Sequence, residues 1–308
     1  MTQPVNFAGV FPILATPFDA QEGLDLESFD RLIRFMVKLG VEGVTILGVL
    51  GESNRLLDRE REVLISTAVN AAQGKLPIIV GASHSGTLAA LELSQMAETL
   101  GASAVMITPQ SEPAPNDQRV FDYFQRIAAG IPIPVVAQDH PASTQVHMSV
   151  PLLLRIVNEI PNVACIKEEA LPTPPKISAL LAGMKERRVP ILTGLGALYG
   201  GFDLQRGSSG FNTGFAFPEV LQAMLRHARA GNWAKANEVY QHYLPLIVFE
   251  QQPGVAIRKE ILRMRGLIAM NTVRDPGTNI DTATLEQLRG VIAAAFPDAD
   301  ILQPVEIK

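Results

Sequence analysis

The sequence of 308 residues lacks the features that mark several large classes of protein. A single cysteine, Cys165, excludes an internal disulfide framework. Lysine and arginine (26 together) do not exceed aspartate and glutamate (31), so there is no basic surplus to bind nucleic acid or a membrane surface. No run of about 18 apolar residues predicts a spanning helix, and no basic, apolar leader is evident. We therefore expect a cytoplasmic protein with a small-molecule ligand or none.

Hydrophobic residues make up 47% of the chain, enough for a large buried core. Short apolar runs, ended by Gly, Pro, Ser or Asn, alternate with longer amphipathic stretches, and this pattern predicts parallel strands joined by helices. The predicted strands are Val10–Ala15, Gly43–Leu47, Pro77–Gly81, Ala104–Ile107, Pro134–Gln138, Val163–Lys167, Pro190–Thr193 and Gly210–Thr213. Eight such units predict an α/β fold of the (β/α)8 TIM barrel type.

A doubly wound sheet is the alternative, but it usually has a glycine-rich dinucleotide loop after its first strand. Here Thr16-Pro17-Phe18 follows that strand. We place the barrel over residues 1–229 and a C-terminal helical extension over residues 230–308. Because no linker or low-complexity tract separates them, the extension is expected to pack against the barrel.

Lys167 ends the apolar run Val163–Lys167, where barrel enzymes carry their reacting groups. A lysine there is partly desolvated, which lowers its pKa and supplies the neutral amine that attacks a ketone. The same position also fits a lysine whose side chain extends from the barrel mouth into solvent. Position alone leaves both interpretations open.

Side chains alternate along a strand, so Lys167 and Glu169 are expected on one side and Glu168 on the other. Glu169 is then a candidate base, while Glu168 is expected to anchor a neighbouring helix. A carboxylate near the lysine raises its pKa as burial lowers it, and the sequence does not give the balance. Glu250 and Lys259, in the late helices, are expected in surface salt bridges, and the alternative is that they reach the barrel mouth.

Other candidates follow the strands. Gln138 and His140 share one face at the end of strand five, and His140 fits a packing role as well as a catalytic one. Ser83 and His84, after strand three, carry the same ambiguity. Further candidate substrate contacts are Gly194, after strand seven, and Asn212 and Thr213, which end strand eight and are expected to face the substrate.

The segment Gly48–Ser53 follows strand two, and its glycines allow backbone N–H groups to bind a carboxylate. Gly48, Val49 and Leu50 are the candidate contacts, and the last two side chains are expected to make the pocket less polar. The chain has no Walker lysine, His-Glu-x-x-His or Gly-x-Ser-x-Gly motif, so we expect neither a metal nor a nucleotide cofactor.

The chain resembles the dihydrodipicolinate synthase/N-acetylneuraminate lyase family of class I aldolases and dehydratases, nearly end to end. The resemblance rests on Thr16-Pro17-Phe18, Gly48-x-x-Gly51-Glu52, Pro141, Ile166-Lys167-Glu168 and Val273-Arg274-Asp275-Pro276. It implies a barrel with a C-terminal helical region, a homotetramer or homodimer, and Lys167 as the lysine that forms an imine with a 2-oxo acid. It implies no metal or organic cofactor.

Departures from the family pattern concern the substrate. Val49 and Leu50 replace two threonines, and Gln138 replaces a tyrosine that relays protons. Glutamine cannot carry a proton in place of a phenol, although it can hydrogen-bond a substrate oxygen. Ala142–Thr144 replaces an arginine that holds a substrate carboxylate, which argues against the reaction of lysine biosynthesis.

Several departures are similar to the L-2-keto-3-deoxyarabonate dehydratase subgroup. They are Gln138-Asp139-x-Pro141-Ala142-Ser143, Lys167-x-Glu169 and Ser83-His84. This resemblance implies dehydration of a 2-keto-3-deoxy sugar acid, with Glu169 removing a C3 proton and His140 or water assisting departure of the C4 hydroxide. The alternatives are a retro-aldolase that releases pyruvate from a longer or aromatic 2-oxo acid, and a barrel that binds an oxo acid without catalysis.

Overall fold

The computed structural model describes residues 5–111 and 116–307 as a parallel eight-stranded sheet surrounded by helices. The strands are β1 (Val10–Pro12), β2 (Val44–Ile46), β3 (Ile78–Gly81), β4 (Ala104–Ile107), β5 (Val135–Asp139), β6 (Val163–Glu168), β7 (Ile191–Thr193) and β8 (Gly210–Thr213). They pair in the order β1-β8-β7-β6-β5-β4-β3-β2, and a bridge between Ile13 and Thr45 joins the two ends. The predicted (β/α)8 barrel is confirmed.

A helix follows each strand in turn. The helices are α1 (Leu26–Leu39), α2 (Asp58–Ala72), α3 (Thr87–Thr99), α4 (Asp117–Ala129), α5 (Pro141–Thr144), α6 (Val150–Glu159), α7 (Thr173–Gly183), α8 (Gly200–Gln205), α9 (Pro218–Arg229), α10 (Trp233–Phe249), α11 (Val255–Met264) and α12 (Thr282–Ala295). Among the described residues, none of these helices is long and apolar enough to cross a membrane.

Helix α1 illustrates how local sequence sets the elements. Asp25 caps its first turn by accepting a hydrogen bond from the backbone N–H of Ser28, and Gly40 ends it with a φ of 67°. Between these signals Phe29, Leu32 and Ile33 recur at helical spacing and are buried against the barrel. The amphipathic pattern therefore decides which face of the helix meets the strands.

Inside the barrel the side chains of alternate strand positions form a separate apolar cluster. Its buried members are Phe7, Phe11, Ile79, Ala104, Met106, Val136, Cys165 and Leu192. Burial raises the pKa of the Cys165 thiol, so this cysteine acts as an apolar packing group. The lower part of the barrel is thus a closed floor, and chemistry is confined to its carboxyl end.

The C-terminal helices pack on the barrel through buried charges. Lys259 of α11 binds Glu52 in the loop after β2, and Arg265 binds Glu219 of α9. Glu250 accepts a hydrogen bond from Arg258 at 3.1 Å. The side chains of Glu250 and Lys259 are fully buried, so the expectation of surface salt bridges is wrong for both. The boundary between residues 229 and 230 stays a prediction.

Candidate active site

Side chains at the carboxyl end of the barrel come in layers from alternate strands. Lys167 of β6 is paired with Leu192 of β7, and Leu192 with Gly210 of β8. Because neighbouring strands of such a barrel are staggered by about one residue each, the level of Lys167 is reached on β8 at Asn212. Continued around the barrel, the same stagger gives a layer made of Lys167, Asn212, Thr45 and Met106.

The next layer toward the mouth comes from the odd-numbered strands and their extensions. By the same register it consists of Ile13, Gly81, Gln138 and Gly194. Two of these residues are glycines, so the layer leaves space above Lys167. A cleft of about 560 Å³ opens there, and its walls include Gly81, Met106 and Gln138.

Lys167 and Glu169 lie on the same side of β6, as the alternation predicts. The Nζ atom of Lys167 is 3.0 Å from Oε2 of Glu169, and the two side chains are only 2% and 6% exposed. Burial lowers the pKa of Lys167 despite the opposing effect of Glu169. Of the two effects that the sequence left in balance, burial is the larger, and the pKa of Lys167 is lowered.

Glu169 is held as a carboxylate by a set of donors. Burial alone raises its pKa, but Lys167, His140 and hydrogen bonds from Leu195 and Gln138 lower it overall. Oε1 accepts from the backbone N–H of Leu195 at 2.9 Å, and Oε2 accepts from Nε2 of Gln138 at 2.6 Å. Gln138 thus serves in this structure as a donor to the neighbouring acid.

The loop after β7 is shaped around Glu169. A Cβ atom on Gly194 would lie 2.2 Å from Cγ of Glu169, so only glycine leaves room for this carboxylate. The next three residues have positive φ angles: 47° at Leu195, 63° at Gly196 and 65° at Ala197. Left-handed conformations cost about 1–3 kcal/mol at residues other than glycine and recur at functional sites. Here the strained loop turns the Leu195 N–H toward Glu169.

Glu168 faces the opposite side of β6, as predicted. Its Oε1 atom lies 3.7 Å from Nζ of Lys176 in α7 and accepts a hydrogen bond from the backbone of Ala170 at 2.7 Å. Asp139, its partner in β5, also binds Lys176. Burial and the nearby Asp139 raise the pKa of Glu168 to about 8. Two carboxyl groups and one ammonium therefore fasten the ends of β5 and β6 to α7.

The three remaining strand-end candidates occupy different surroundings. His140 is half-buried, its Nδ1 lies 2.6 Å from Oγ of Ser143, and burial lowers its pKa. Ser83 and His84 both line the cleft. Ser83 accepts a hydrogen bond from the backbone of Thr108, whereas His84 is exposed and accepts one from the backbone of Gly86 at 2.9 Å. Their contacts with substrate stay predictions.

The loop after β2 turns its two apolar side chains in different directions. Gly48 and Val49 line the cleft, and Val49 is 53% exposed. Leu50 packs instead against Gly214, where it lines a separate cavity of about 20 Å³. Leu50 is therefore not among the residues that line the cleft, and its contact with substrate stays a prediction. The cause is a 3-10 turn over Val49–Gly51, which rotates successive side chains apart.

The two predicted substrate contacts on strand β8 lie on opposite sides of the strand. Asn212 is buried inside the barrel, and its Nδ2 donates to Oγ1 of Thr45 at 2.9 Å. Thr213 shares a side of the strand with Phe211, which packs in the cluster formed with the outer helices. The expectation that Thr213 faces the substrate is therefore wrong, because adjacent residues of a strand point to opposite sides.

Sequence reasoning missed three residues around Lys167. Leu195 acts through its backbone, which no side-chain pattern reveals. Thr45 was hidden within an apolar strand, although its polarity there was a usable signal. Arg258 of α11 is buried, and its charge adds to the lowering of the pKa of Lys167. Ninety residues separate the two along the chain, so only the fold brings them together.

Comparison with known proteins gives consistent matches. The dihydrodipicolinate synthetase family matches residues 6–295. The L-2-keto-3-deoxyarabonate dehydratase of Azospirillum brasilense is 32% identical over 293 residues, which cover 94% of each chain. The 4-hydroxy-tetrahydrodipicolinate synthase of Brucella abortus is 28% identical over 282 residues, or 91% of this chain and 95% of that one. The crystal structure of dihydrodipicolinate synthase from Rhodopseudomonas palustris has a TM-score of 0.90 and 32% identity, covering 96% of this chain and 99% of that one.

Proposed function

We propose, from the premise that the chain belongs to the dihydrodipicolinate synthetase family, that it dehydrates a 2-keto-3-deoxy sugar acid through an imine on Lys167. As a member of that family it is an enzyme of the lyase class. One observation carries the proposal: a buried lysine with a lowered pKa lies 3.0 Å from the carboxylate of Glu169, which is hydrogen-bonded to Gln138 in the wall of a cleft. The similarity to the Azospirillum brasilense dehydratase supports the choice of substrate.

The reaction begins when the neutral Lys167 amine attacks C2 of the substrate and water leaves. The resulting iminium acidifies the C3 protons, and Glu169 takes one of them while the C2–N electron pair moves onto nitrogen. The enamine then expels the C4 hydroxide, which leaves as water with a proton from His140 or solvent. Loss of a C5 proton, protonation at C3 and ketonisation of the resulting C4=C5 enol convert the unsaturated imine into the imine of a semialdehyde. Its hydrolysis releases the semialdehyde and returns the lysine. The net change is loss of one water, and no oxidant or reductant is needed.

Gln138 suits these reaction steps better than a proton-relaying tyrosine would. Its amide nitrogen donates to Glu169 at 2.6 Å, and the amide does not ionise near neutral pH. The carboxylate next to the lysine can therefore perform the proton transfer at C3 by itself. Dehydration requires no proton relay to a second substrate, so a single local base suffices.

A retro-aldolase is the second candidate, and the exposed Val49 in the cleft favours it. Such an enzyme would cleave the C3–C4 bond and release pyruvate and an aldehyde. The two reactions are separated by their products. Incubation with 2-keto-3-deoxy acids, followed by assays for pyruvate and for a semialdehyde, is expected to give the semialdehyde alone. Pyruvate together with an aldehyde would contradict the dehydratase proposal.

Borohydride trapping tests the imine itself. Incubation with pyruvate followed by borohydride reduction is expected to add a 1-carboxyethyl group to Nζ of Lys167, detectable by peptide mass. Lys167→Ala should abolish the adduct, whereas Lys176→Ala, which removes a lysine on the outer side of the strands, should retain it. If no 2-oxo acid gives an adduct on Lys167, the proposal is refuted in favour of a barrel that binds without catalysis.

Membership of the family supports the proposal of a homotetramer or homodimer. Sedimentation velocity is expected to give a mass of two or four chains. A single-chain mass across the micromolar range would contradict this expectation.

A further inference from the structure

Asn212 carries a buried polar atom without a partner close to the reacting lysine. Its side chain is fully buried, and its Nδ2 donates to Oγ1 of Thr45. The Oδ1 atom has no hydrogen-bond partner within the described part of the chain. An unsatisfied buried acceptor costs about 1–3 kcal/mol. The barrel register places this acceptor in the same layer as Lys167.

The orientation of the Asn212 amide follows from its neighbours. The hydroxyl of Thr45 can donate or accept, so it fits either amide orientation. Lys167 is a donor in both its charged and neutral forms. With its NH2 group toward Lys167, Asn212 would place its own donors against those of the lysine. With Oδ1 toward Lys167, it supplies an acceptor instead. Because Nδ2 of Asn212 is bound to Thr45, Oδ1 is the amide atom that is left to accept from a donor in this layer.

Imine formation changes what Lys167 can donate. The ammonium has three N–H bonds, but the iminium retains only one. If Glu169 accepted that N–H, its lone pair would be engaged and it would be a weaker base toward C3. A second acceptor close to the nitrogen removes this conflict.

We propose that Oδ1 of Asn212 accepts the iminium N–H of Lys167, held in place by Thr45, and so leaves Glu169 free to remove the C3 proton. The inference rests on the proposed imine chemistry. Asn212 thereby keeps the nitrogen protonated, which preserves its capacity to withdraw electrons from C3. No bond other than the hydrogen bond is formed or broken by Asn212.

Two measurements with pyruvate as the probe separate imine formation from proton removal. One is the rate of borohydride adduct formation, and the other is exchange of the methyl protons in D2O, followed by proton NMR. Asn212→Leu is expected to retain the adduct but to slow exchange by about tenfold to hundredfold, the effect of a hydrogen bond to a charged group. Its adduct formation should also shift to lower pH, because the unsupported iminium loses its proton more readily.

Asn212→Asp keeps an acceptor at the same place, and Thr45 can then donate to it. We expect this variant to exchange protons at least tenfold faster than Asn212→Leu. Thermal melts of both variants establish that they fold, and Asn212→Ser replaces the leucine variant if that one does not. Equal losses in the leucine and aspartate variants, or exchange by the leucine variant within twofold of wild type, would overturn the inference. Failure of the wild type to form any adduct would instead refute the imine proposal.

Discussion

The buried pair Glu168 and Asp139 predicts a specific dependence of stability on pH. Both side chains are fully buried, and each has one carboxylate oxygen without a partner among the described residues. Lys176 supplies the one ammonium that the two acids share. We expect the two acids to share one proton, which agrees with the raised pKa of Asp139 and with that of Glu168, about 8. Glutamine in place of Glu168 mimics the protonated acid at every pH, because its amide hydrogens do not titrate.

The sign follows from proton linkage. An unfolded glutamate has lost its proton above about pH 4.5, whereas folded Glu168 retains it up to about pH 8. Between these values the folded chain binds the extra proton, so stability falls as pH rises. The slope is at most about 1.4 kcal/mol per pH unit for one proton, or about 2.7 kcal/mol between pH 5.5 and 7.5.

Urea denaturation at pH 5.5, 6.5 and 7.5 measures this contribution. Between pH 5.5 and 7.5 we expect the free energy of unfolding of the wild type to fall, relative to that of Glu168→Gln, by up to about 2.7 kcal/mol. The difference between the two proteins reports on the pair of Glu168 and Asp139, because Asp203 and Glu250 also have raised pKa values but contribute equally to both proteins. Glu159→Gln, at a glutamate that is 54% exposed, is the matched control and should leave the slope unchanged. Parallel pH profiles for the wild type and Glu168→Gln would refute the shared proton.

Three further predictions concern the site and its support. Gly194→Ala places a Cβ atom 2.2 Å from Cγ of Glu169, so it should lower kcat by at least tenfold while circular dichroism stays unchanged; full activity would contradict the packing argument. Gln138→Leu removes a donor that lowers the pKa of Glu169, so the acid limb of kcat/KM should move to higher pH, and an unmoved limb would exclude Glu169 as the base. Lys259→Met leaves Glu52 buried without its ammonium and should cost about 3–5 kcal/mol in urea denaturation; a loss below 1 kcal/mol would show that Glu52 is satisfied by its other partners.

The sequence predicted the features that depend on local periodicity. The alternation of side chains in β6 placed Lys167 and Glu169 together and Glu168 apart, because all three lie within one regular segment. The same rule corrects the error at Thr213, where two adjacent residues were both assigned to the interior. Where the backbone is a regular strand, the sequence alone therefore predicts the direction of each side chain.

Features that depend on irregular backbone or distant contacts were beyond sequence reasoning. The 3-10 turn that directs Leu50 away from the cleft has no periodic signature. The pairing of Lys259 with Glu52 joins segments far apart in the chain, so the sequence did not reveal that the charge of Lys259 is buried. Leu195 contributes a backbone N–H through a left-handed conformation that its side chain does not favour. These three determine the shape and charge of the candidate site.

The charged groups on the two sides of β6 have different roles. On the inner side Lys167 needs a lowered pKa to attack a ketone, while Glu169 next to it raises that pKa. An ionised Glu168, one residue away on the outer side, would add a second negative charge and oppose neutralisation of the amine further. Holding a proton on Glu168 removes this charge without removing the carboxyl group that fastens β6. The outer cluster therefore supports the chemistry by staying close to neutral, and Glu168→Gln, which keeps it so, is expected to leave borohydride trapping on Lys167 intact.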